Sequence, residues 1–318
     1  ELVLFGSTRS AGSKYKFRGK EIEVKLLQHN DDFKDIDIAF TSAGAGTSKE
    51  FAEDITRYGA VMIDNSSAFR MDKDVPLVVP ECNAADALER PRGIIANPNC
   101  STIQMLVALK PIHDAVHIKR IVVTTFQAVS GAGQKGINEL EQQVRDLFNS
   151  REIKCDKFPY RIAFNVLPQI DIFLDNDYTK EEMKMVNETK KMFHDPDIRV
   201  TATCARVPVF YCHSESVNIE TEKKLSPKDC RLLLSQAPGV QVYDNPRALM
   251  YPHAAMCVGE DDTFVGRIRE DDTVENGLNM WIVADNVRKG AALNAVQIAE
   301  ELVKRDLVRV KDRDVFMK

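Results

Sequence analysis

Cys100 stands in Asn97-Pro98-Asn99-Cys100-Ser101-Thr102, between a proline-containing turn and a helix start. Proline favours extended or turn geometry in the residue before it, and Ser101 or Thr102 can open the helix that follows. A cysteine at a helix N-terminus meets the positive end of the helix dipole and unpaired backbone N–H groups, and both favour a thiolate. Cys82, in Pro80-Glu-Cys-Asn83, is also expected in a loop but has no helix-start signal. Cys204, Cys212, Cys230 and Cys257 lie in or beside apolar runs and read as packing. A nucleophilic thiol needs an acid/base partner, usually histidine. Among six histidines the best placed is His213, in the polar island 210–217 between two strand-like runs. His113 and His117 are one helical turn apart, but no carboxylate or thiol accompanies them in sequence, so a solvated face is expected and no metal site.

Other residues can bind or orient a reactant. Gln127 begins Gln127-Ala-Val-Ser-Gly-Ala-Gly133, a strand-to-helix connection of small residues that lets a ligand approach the backbone. Arg70, after Ser66-Ser-Ala-Phe, and Arg206, after Ala205, can form planar two-pronged clamps for an anion.

The elements that must position these groups follow from hydrophobic spacing. Residues 2–5, 22–27, 36–41, 61–63, 77–79 and 94–96 read as strands and 47–58 as a helix, a β/α alternation that argues for a covered parallel sheet. The turn Ala43-Gly-Ala-Gly46 follows a strand, at the end where open α/β sheets bind nucleotides. Beyond Cys100 the texture changes. Helices are expected over 103–116, 137–148, 180–193 and 290–302. Strands are expected at 121–126, 201–208, 216–222, 240–243, 263–269 and 280–284, with 155–177 loop-rich. The fold class is therefore α/β followed by α+β, with a junction near residue 100.

Composition narrows the function. At 318 residues with 44% hydrophobic and 29% charged side chains, the chain has the make-up of a globular protein with two domains. Its 43 Lys and Arg against 48 Asp and Glu, net −5, make nucleic-acid binding an unexpected role. No stretch approaches the ~18 apolar residues of a membrane span. Seven cysteines with no Cys-x-x-Cys pair argue for reduced thiols and a cytoplasmic location.

Taken together, several segments resemble the aspartate-β-semialdehyde dehydrogenase family, in its bacterial branch. They are Thr8-Arg-Ser-Ala-Gly12, Asp64-Asn-Ser-Ser-Ala-Phe-Arg70, Pro76-Leu-Val-Val-Pro-Glu81, Asn97–Thr102, Gln127–Gly133, Glu181-Glu-Met-Lys184, Arg206 with His213-Ser-Glu-Ser216, and Asp285-Asn-Val-Arg-Lys-Gly-Ala-Ala292. The resemblance implies a Rossmann-like parallel-sheet domain, residues 1–99 with 290–318, and an α+β catalytic and dimerisation domain, residues 100–289. It implies NADPH-dependent reduction of aspartyl phosphate to aspartate semialdehyde and phosphate, in a homodimer or a tetramer built from dimers. Cys100 would be the nucleophile, Gln127 would position the reacting group and His213 would be the acid/base. Arg206 would hold the substrate α-carboxylate with Glu181 near its amino group; Arg70, Asn99 and Lys184 would surround the phosphate. Toward NADP, Arg9 and Ser10 would meet the 2′-phosphate. Ser42, Ala43 and Gly44 would border the pyrophosphate or ribose, and Ser130, Gly131 and Asn286 the nicotinamide.

Family members open with a strand, a Gly-rich turn and a helix. This sequence is expected to begin in what would be the second strand, without that cradle. Two rival readings stand beside this one. N-acetyl-γ-glutamyl-phosphate reductases do the same chemistry on a longer, acylated substrate, and Glu181, available for a free amino group, favours the aspartyl one. A non-catalytic relative acting by oligomerisation or partner binding would not need Cys100, Gln127, Arg206 and His213 together.

Overall fold

The computed structural model of the chain describes residues 1–308, so the last part of the expected 290–318 segment lies outside the described residues. The first half is built from short strands: β1 (Leu4–Gly6), β2 (Lys14–Phe17), β3 (Lys20–Leu26) and β4 (Ile38–Thr41), then α1 (Ala45–Thr56), β5 (Val61–Asp64), α2 (Pro80–Asn83) and β6 (Ile94–Ala96). The expected parallel strands fall into two three-stranded sheets. In one, β3 pairs with β1 in parallel and with β2 as a hairpin; in the other, β4, β5 and β6 run parallel. β5 and β6 are buried throughout, as continuous apolar runs require under a covered parallel sheet. The stretch 77–79 forms no ladder; Leu77 makes a single parallel bridge to Ala96, because Pro76 and Pro80 remove the flanking N–H donors.

The long helix α3 (Cys100–Val116) crosses to the second half: β7 (Ile118–Gln127), α4 (Gln134–Phe148), α5 (Lys180–Met192), β8 (Arg199–Arg206), β9 (His213–Thr221), α6 (Pro227–Ser235), β10 (Val240–Val242), α7 (Ala254–Cys257), β11 (Thr263–Asp271) and β12 (Gly277–Ala284). The chain closes through a π-turn at Arg288–Ala292 into α8 (Leu293–Lys304). One mixed six-stranded sheet has the order β10-β11-β12-β9-β7-β8. A continuous core runs from Ile55 and Met62 in the first half, through Ile103, Leu106 and Leu109 of α3, to Ile121, Val217 and Met280 of this sheet.

That core changes character along its length. β7 and β9 bury alternate residues, as strands covered on one side must. At one end these are Ile121, Val123, Val217 and Ile219; at the other they are Thr125, Gln127, His213 and Glu215. The helix above follows suit, with buried Ser101, Thr102 and Gln104 giving way to Met105, Leu106 and Leu109. The polar end of the sheet therefore meets the first turn of α3, where Cys100 stands.

Candidate active site

Cys100 is the first residue of α3, and the cap is Asn99 rather than Ser101 or Thr102. The Asn99 Oδ1 accepts the N–H groups of Ser101 at 3.0 Å and Thr102 at 3.3 Å, while its Nδ2 donates to Glu181 Oε1 at 2.8 Å. One side chain thus closes the helix start and ties it to α5. The Cys100 Sγ lies 3.2 Å from Nε2 of His213, the fully buried first residue of β9. On the far side of the ring, Nδ1 accepts the Ala128 N–H at 3.0 Å. A neutral imidazole held in this way carries its proton on Nε2 and aims it at the sulfur.

Electrostatics favour the neutral form of both groups. Burial pushes the Cys100 thiol up to about 12, helped by the Glu181 charge and opposed by Arg206, Arg70 and the Ser101 N–H. Burial, with the neighbouring Arg206, pushes His213 down to about 3. Negative charge developing on the sulfur would meet a fixed N–H donor and two guanidinium groups, the arrangement that stabilises a reacting anion.

The thiol opens into a cleft of about 540 Å³. Of the residues singled out above, Arg70, Asn99, Gln127, Gly131, Glu181, Lys184 and Arg206 line it with Cys100. Glu181 is held by Asn99, by Gln127 Nε2 at 3.1 Å and by Lys184 Nζ at 2.9 Å. Burial alone would raise its pKa, but the Lys184 charge and these hydrogen bonds bring it down to about 2, so a carboxylate faces the cleft. Thr125 Oγ1 donates to Gln127 Oε1 and fixes which way that amide points. Arg206 gives Nη1 to the Ala128 carbonyl at 2.7 Å and borders the cleft. Arg70 is more committed, with donors on the Asn97 and Asn65 carbonyls and on Glu188, whose other oxygen accepts the Asn99 N–H.

Lys157 and Asp171 also line the cleft, from the loop-rich stretch where periodicity carries no signal. Asp171 accepts from Lys184 at 3.0 Å. Gly290, in the π-turn, was missed as well: a Cβ there would lie 2.9 Å from Cys100 Cβ. Gly131, Gly133 and Gly136 have the spacing of a dinucleotide fingerprint, yet a Cβ at Gly131 would come within 2.9 Å of Arg206 Nη1 and 3.2 Å of His213 Cε1. The glycine is needed for side chains of the site to close in.

The remaining residues lie outside this cleft. Arg9 and Ser10 sit in the turn after β1, and Ser42, Ala43 and Gly44 form the exposed turn between β4 and α1. Gly44, at φ 92°, precedes α1 with no side-chain cap on the helix N–H groups. Ser130 and Asn286 bond to each other, Asn286 Nδ2 donating to Ser130 Oγ at 2.9 Å, while Asn286 Oδ1 accepts the Cys212 N–H at 3.0 Å.

Residues 1–90 match the family described as "Semialdehyde dehydrogenase, NAD binding domain", and residues 109–289 match "Semialdehyde dehydrogenase, dimerisation domain". An aspartate-semialdehyde dehydrogenase of Aquifex aeolicus is 58% identical over 310 residues, covering 97% of this chain and 91% of the relative. The chain belongs to the aspartate-semialdehyde dehydrogenases. A Bacillus subtilis member of the family is 50% identical over 315 residues, 96% of this chain and 90% of its own. The crystal structure of aspartate semialdehyde dehydrogenase II of Vibrio cholerae complexed with ASA superposes with a TM-score of 0.93 at 51% identity, over 96% of this chain and 90% of that one. The oxidoreductase class, the NAD-binding domain and the dimerisation domain read from the sequence therefore stand.

His113 and His117, set aside above as a solvated pair, gain acidic neighbours through the fold. His117 Nε2 lies 3.6 Å from Asp195 and 3.7 Å from Glu222. The His113 ring stacks on Phe193, and its Nδ1 accepts the Ile118 N–H. One ligand atom each of His113, His117 and Asp195 lies within 4.8 Å of the others, so the fold supplies the carboxylate that the sequence lacks beside the pair. Among the described residues no helix is long and apolar enough to cross a membrane.

Proposed function

We propose that this dehydrogenase reduces L-4-aspartyl phosphate with NADPH to L-aspartate 4-semialdehyde and phosphate through a thioacyl enzyme on Cys100, in the route to lysine, diaminopimelate, threonine and methionine. The observation that carries the reading is the Cys100 sulfur 3.2 Å from His213 Nε2 in a cleft bordered by Arg206, Lys184 and Arg70. An acyl phosphate is already an activated acyl donor, so sulfur attack on its carbonyl carbon expels phosphate with little further help. The thiol proton leaves with the phosphate, and the acyl group stays on the sulfur. Asn99, Lys184 and Arg70 hold the departing dianion by charge and N–H donation. Arg206 takes the α-carboxylate, and the ionised Glu181 the ammonium. Once the thioester carbon is reduced, the tetrahedral oxyanion collapses to the aldehyde by expelling sulfur, which the His213 Nε2–H stabilises as it leaves. Gln127, fixed by Thr125 and Glu181, orients the carbonyl through both steps.

The uncapped start of α1 beyond Ser42, Ala43 and Gly44 fits a pyrophosphate, since free backbone N–H groups and the helix dipole favour an anion there. Arg9 and Ser10 would take the 2′-phosphate that distinguishes NADP, and Ser130, Gly131 and Asn286 would flank the nicotinamide, which supplies the hydride when bound. Exposed Phe148, Tyr160, Phe164, Ile172 and Phe173 in the second half support a homodimer, or a tetramer assembled from dimers. Seven free thiols fit a cytosolic enzyme.

The test is the reverse reaction. Aspartate semialdehyde, NADP and inorganic phosphate are mixed with the protein, and NADPH absorbance is followed with and without phosphate. Phosphate-dependent NADPH formation is expected, and faster than with N-acetylglutamate semialdehyde. A preference for the acetylated aldehyde, or no turnover by folded protein, would overturn the assignment. Arg206→Lys should raise the KM for aspartate semialdehyde about tenfold with a smaller change in kcat, because an ammonium cannot reproduce the two-pronged contact. An unchanged KM would remove Arg206 from the carboxylate site.

A further inference from the structure

Two places from His213 on the same strand, Glu215 occupies a position where the alternation of β9 calls for an apolar side chain. It is fully buried, as is Gln104 of α3, whose side-chain amide acts on the Glu215 carboxyl. Gln104 Nε2 donates to the His213 main-chain oxygen at 3.2 Å, so this amide ties the helix that begins at Cys100 to the strand that begins at His213. Three polar atoms here lack a partner when Glu215 is ionised: both of its carboxyl oxygens and Gln104 Oε1. Buried polar groups left unpaired are costly, and one proton removes all three vacancies. A carboxylic acid and a primary amide match as donor–acceptor pairs: acid O–H to amide oxygen, amide N–H to acid carbonyl. Gln104 has two amide hydrogens, one for His213 and one for Glu215.

We propose that Glu215 is a protonated positioning residue, paired as an acid with the Gln104 amide so that Gln104 holds the His213 backbone against the first turn of the Cys100 helix. The surroundings agree with a neutral acid. Thr125 and Ile282 flank Glu215 on the neighbouring strands. Cys204 of β8 is a titratable neighbour, and no cation is among the groups that act on the carboxyl. Burial drives its proton affinity well above the ordinary value of 4.5, with Gln104 opposing. Glu215 touches neither the cleft nor the reacting atoms, and its effect passes through Gln104. The catalytic part of the inference rests on the roles given to Cys100 and His213; the protonation state does not.

Two measurements test it on the full-length enzyme. The first is infrared difference spectroscopy between wild type and Glu215→Gln at pH 8. A protonated-carboxyl band present in wild type and missing from the variant is expected, whatever reaction the protein catalyses; its absence from wild type overturns the proposal. The second compares variants in the reverse assay. Glu215→Gln keeps a donor for Gln104 Oε1 and should retain kcat within about threefold. Glu215→Leu orphans that oxygen, and Gln104→Leu removes the tie; each should lower kcat about tenfold or more with KM nearly unchanged, since misplaced catalytic groups cost rate more than binding. If Glu215→Gln is as impaired as Glu215→Leu, the acid is not acting as a neutral donor. If Gln104→Leu keeps full kcat, the relay through Gln104 is overturned whatever the infrared band shows.

Stability supplies a further check that does not depend on activity. A carboxyl protonated in the fold but ionised in the unfolded chain destabilises the fold increasingly as pH rises above 4.5 toward the raised folded value. Glu215→Gln should therefore gain thermal stability over wild type between pH 5 and pH 8, the gain vanishing near pH 4. A difference that does not vary with pH overturns the protonated state.

Discussion

Cys100→Ala should lower the rate of phosphate-dependent NADPH formation by at least about 10⁴-fold while leaving NADP binding almost unchanged, because without a nucleophile there is no thioacyl enzyme to form or reduce. The chain holds six other free thiols, and none of them is placed to replace Cys100. Burial pushes the thiols of Cys82, Cys204 and Cys212 far up, and those of Cys230 and Cys257 up to about 12. Burial pushes Cys100 up to about 12 as well, yet it alone among them has an imidazole N–H at 3.2 Å and borders the cleft beside Arg206 and Arg70. Its sulfur can lose a proton when the reaction calls for it; the others gain nothing from doing so. Cys155 is exposed but lies outside the cleft. Turnover above a few per cent of wild type in Cys100→Ala would mean that another group attacks the substrate. Cofactor titration by fluorescence, run on the same sample, separates that outcome from loss of the fold.

Much of this site was legible in the sequence because its parts are local and chemically conspicuous. A cysteine between a turn and a helix start, a histidine in a polar island and a glutamine before a small-residue turn each carry a signal within a few residues. The α3 and α5 helices follow from their apolar spacing, and β7 and β12 differ from expectation by a few residues at their ends. What was hidden depends on partners distant in the chain. Asn99 rather than Ser101 caps α3 because Glu181, on α5, holds its other end. The hairpin strand Lys14–Phe17 has every residue exposed, so hydrophobic periodicity has nothing to register there. The helix Pro227–Ser235 passed unread even though Ser226 caps it before a proline, a start signal that was present. Buried charged residues carry no local signal at all: nothing in the neighbouring residues marks Lys289 or Glu215 for burial, and both are fully buried.

Lys289→Met should destabilise the protein by about 3–5 kcal/mol, because it removes one partner of a buried ion pair and strands the other. Lys289 Nζ donates to both carboxylate oxygens of Glu81 at 2.7 Å, to Asn294 Oδ1 at 2.9 Å and to Gln297 Oε1 at 2.6 Å, with side-chain exposures of 1% for the lysine and 9% for Glu81. Methionine can fill much of the volume but supplies no donor, so a carboxylate and two amide oxygens lose their partner together. The damage should reach the active site, since Asn294 also bonds Asn97 and the Val78 carbonyl, and the next residue, Gly290, packs on Cys100. A drop in kcat is therefore expected even where the variant remains folded. Removing the charge from both partners separates pairing from packing: Lys289→Met combined with Glu81→Gln should recover part of the lost stability, because no unpaired charge is then buried. Urea unfolding of the wild type, the two single variants and the double variant measures the coupling. A single Lys289→Met loss below about 1 kcal/mol, or a double variant no better than the single, would mean that water reaches Glu81 and that the pair does not hold the π-turn against the catalytic cysteine.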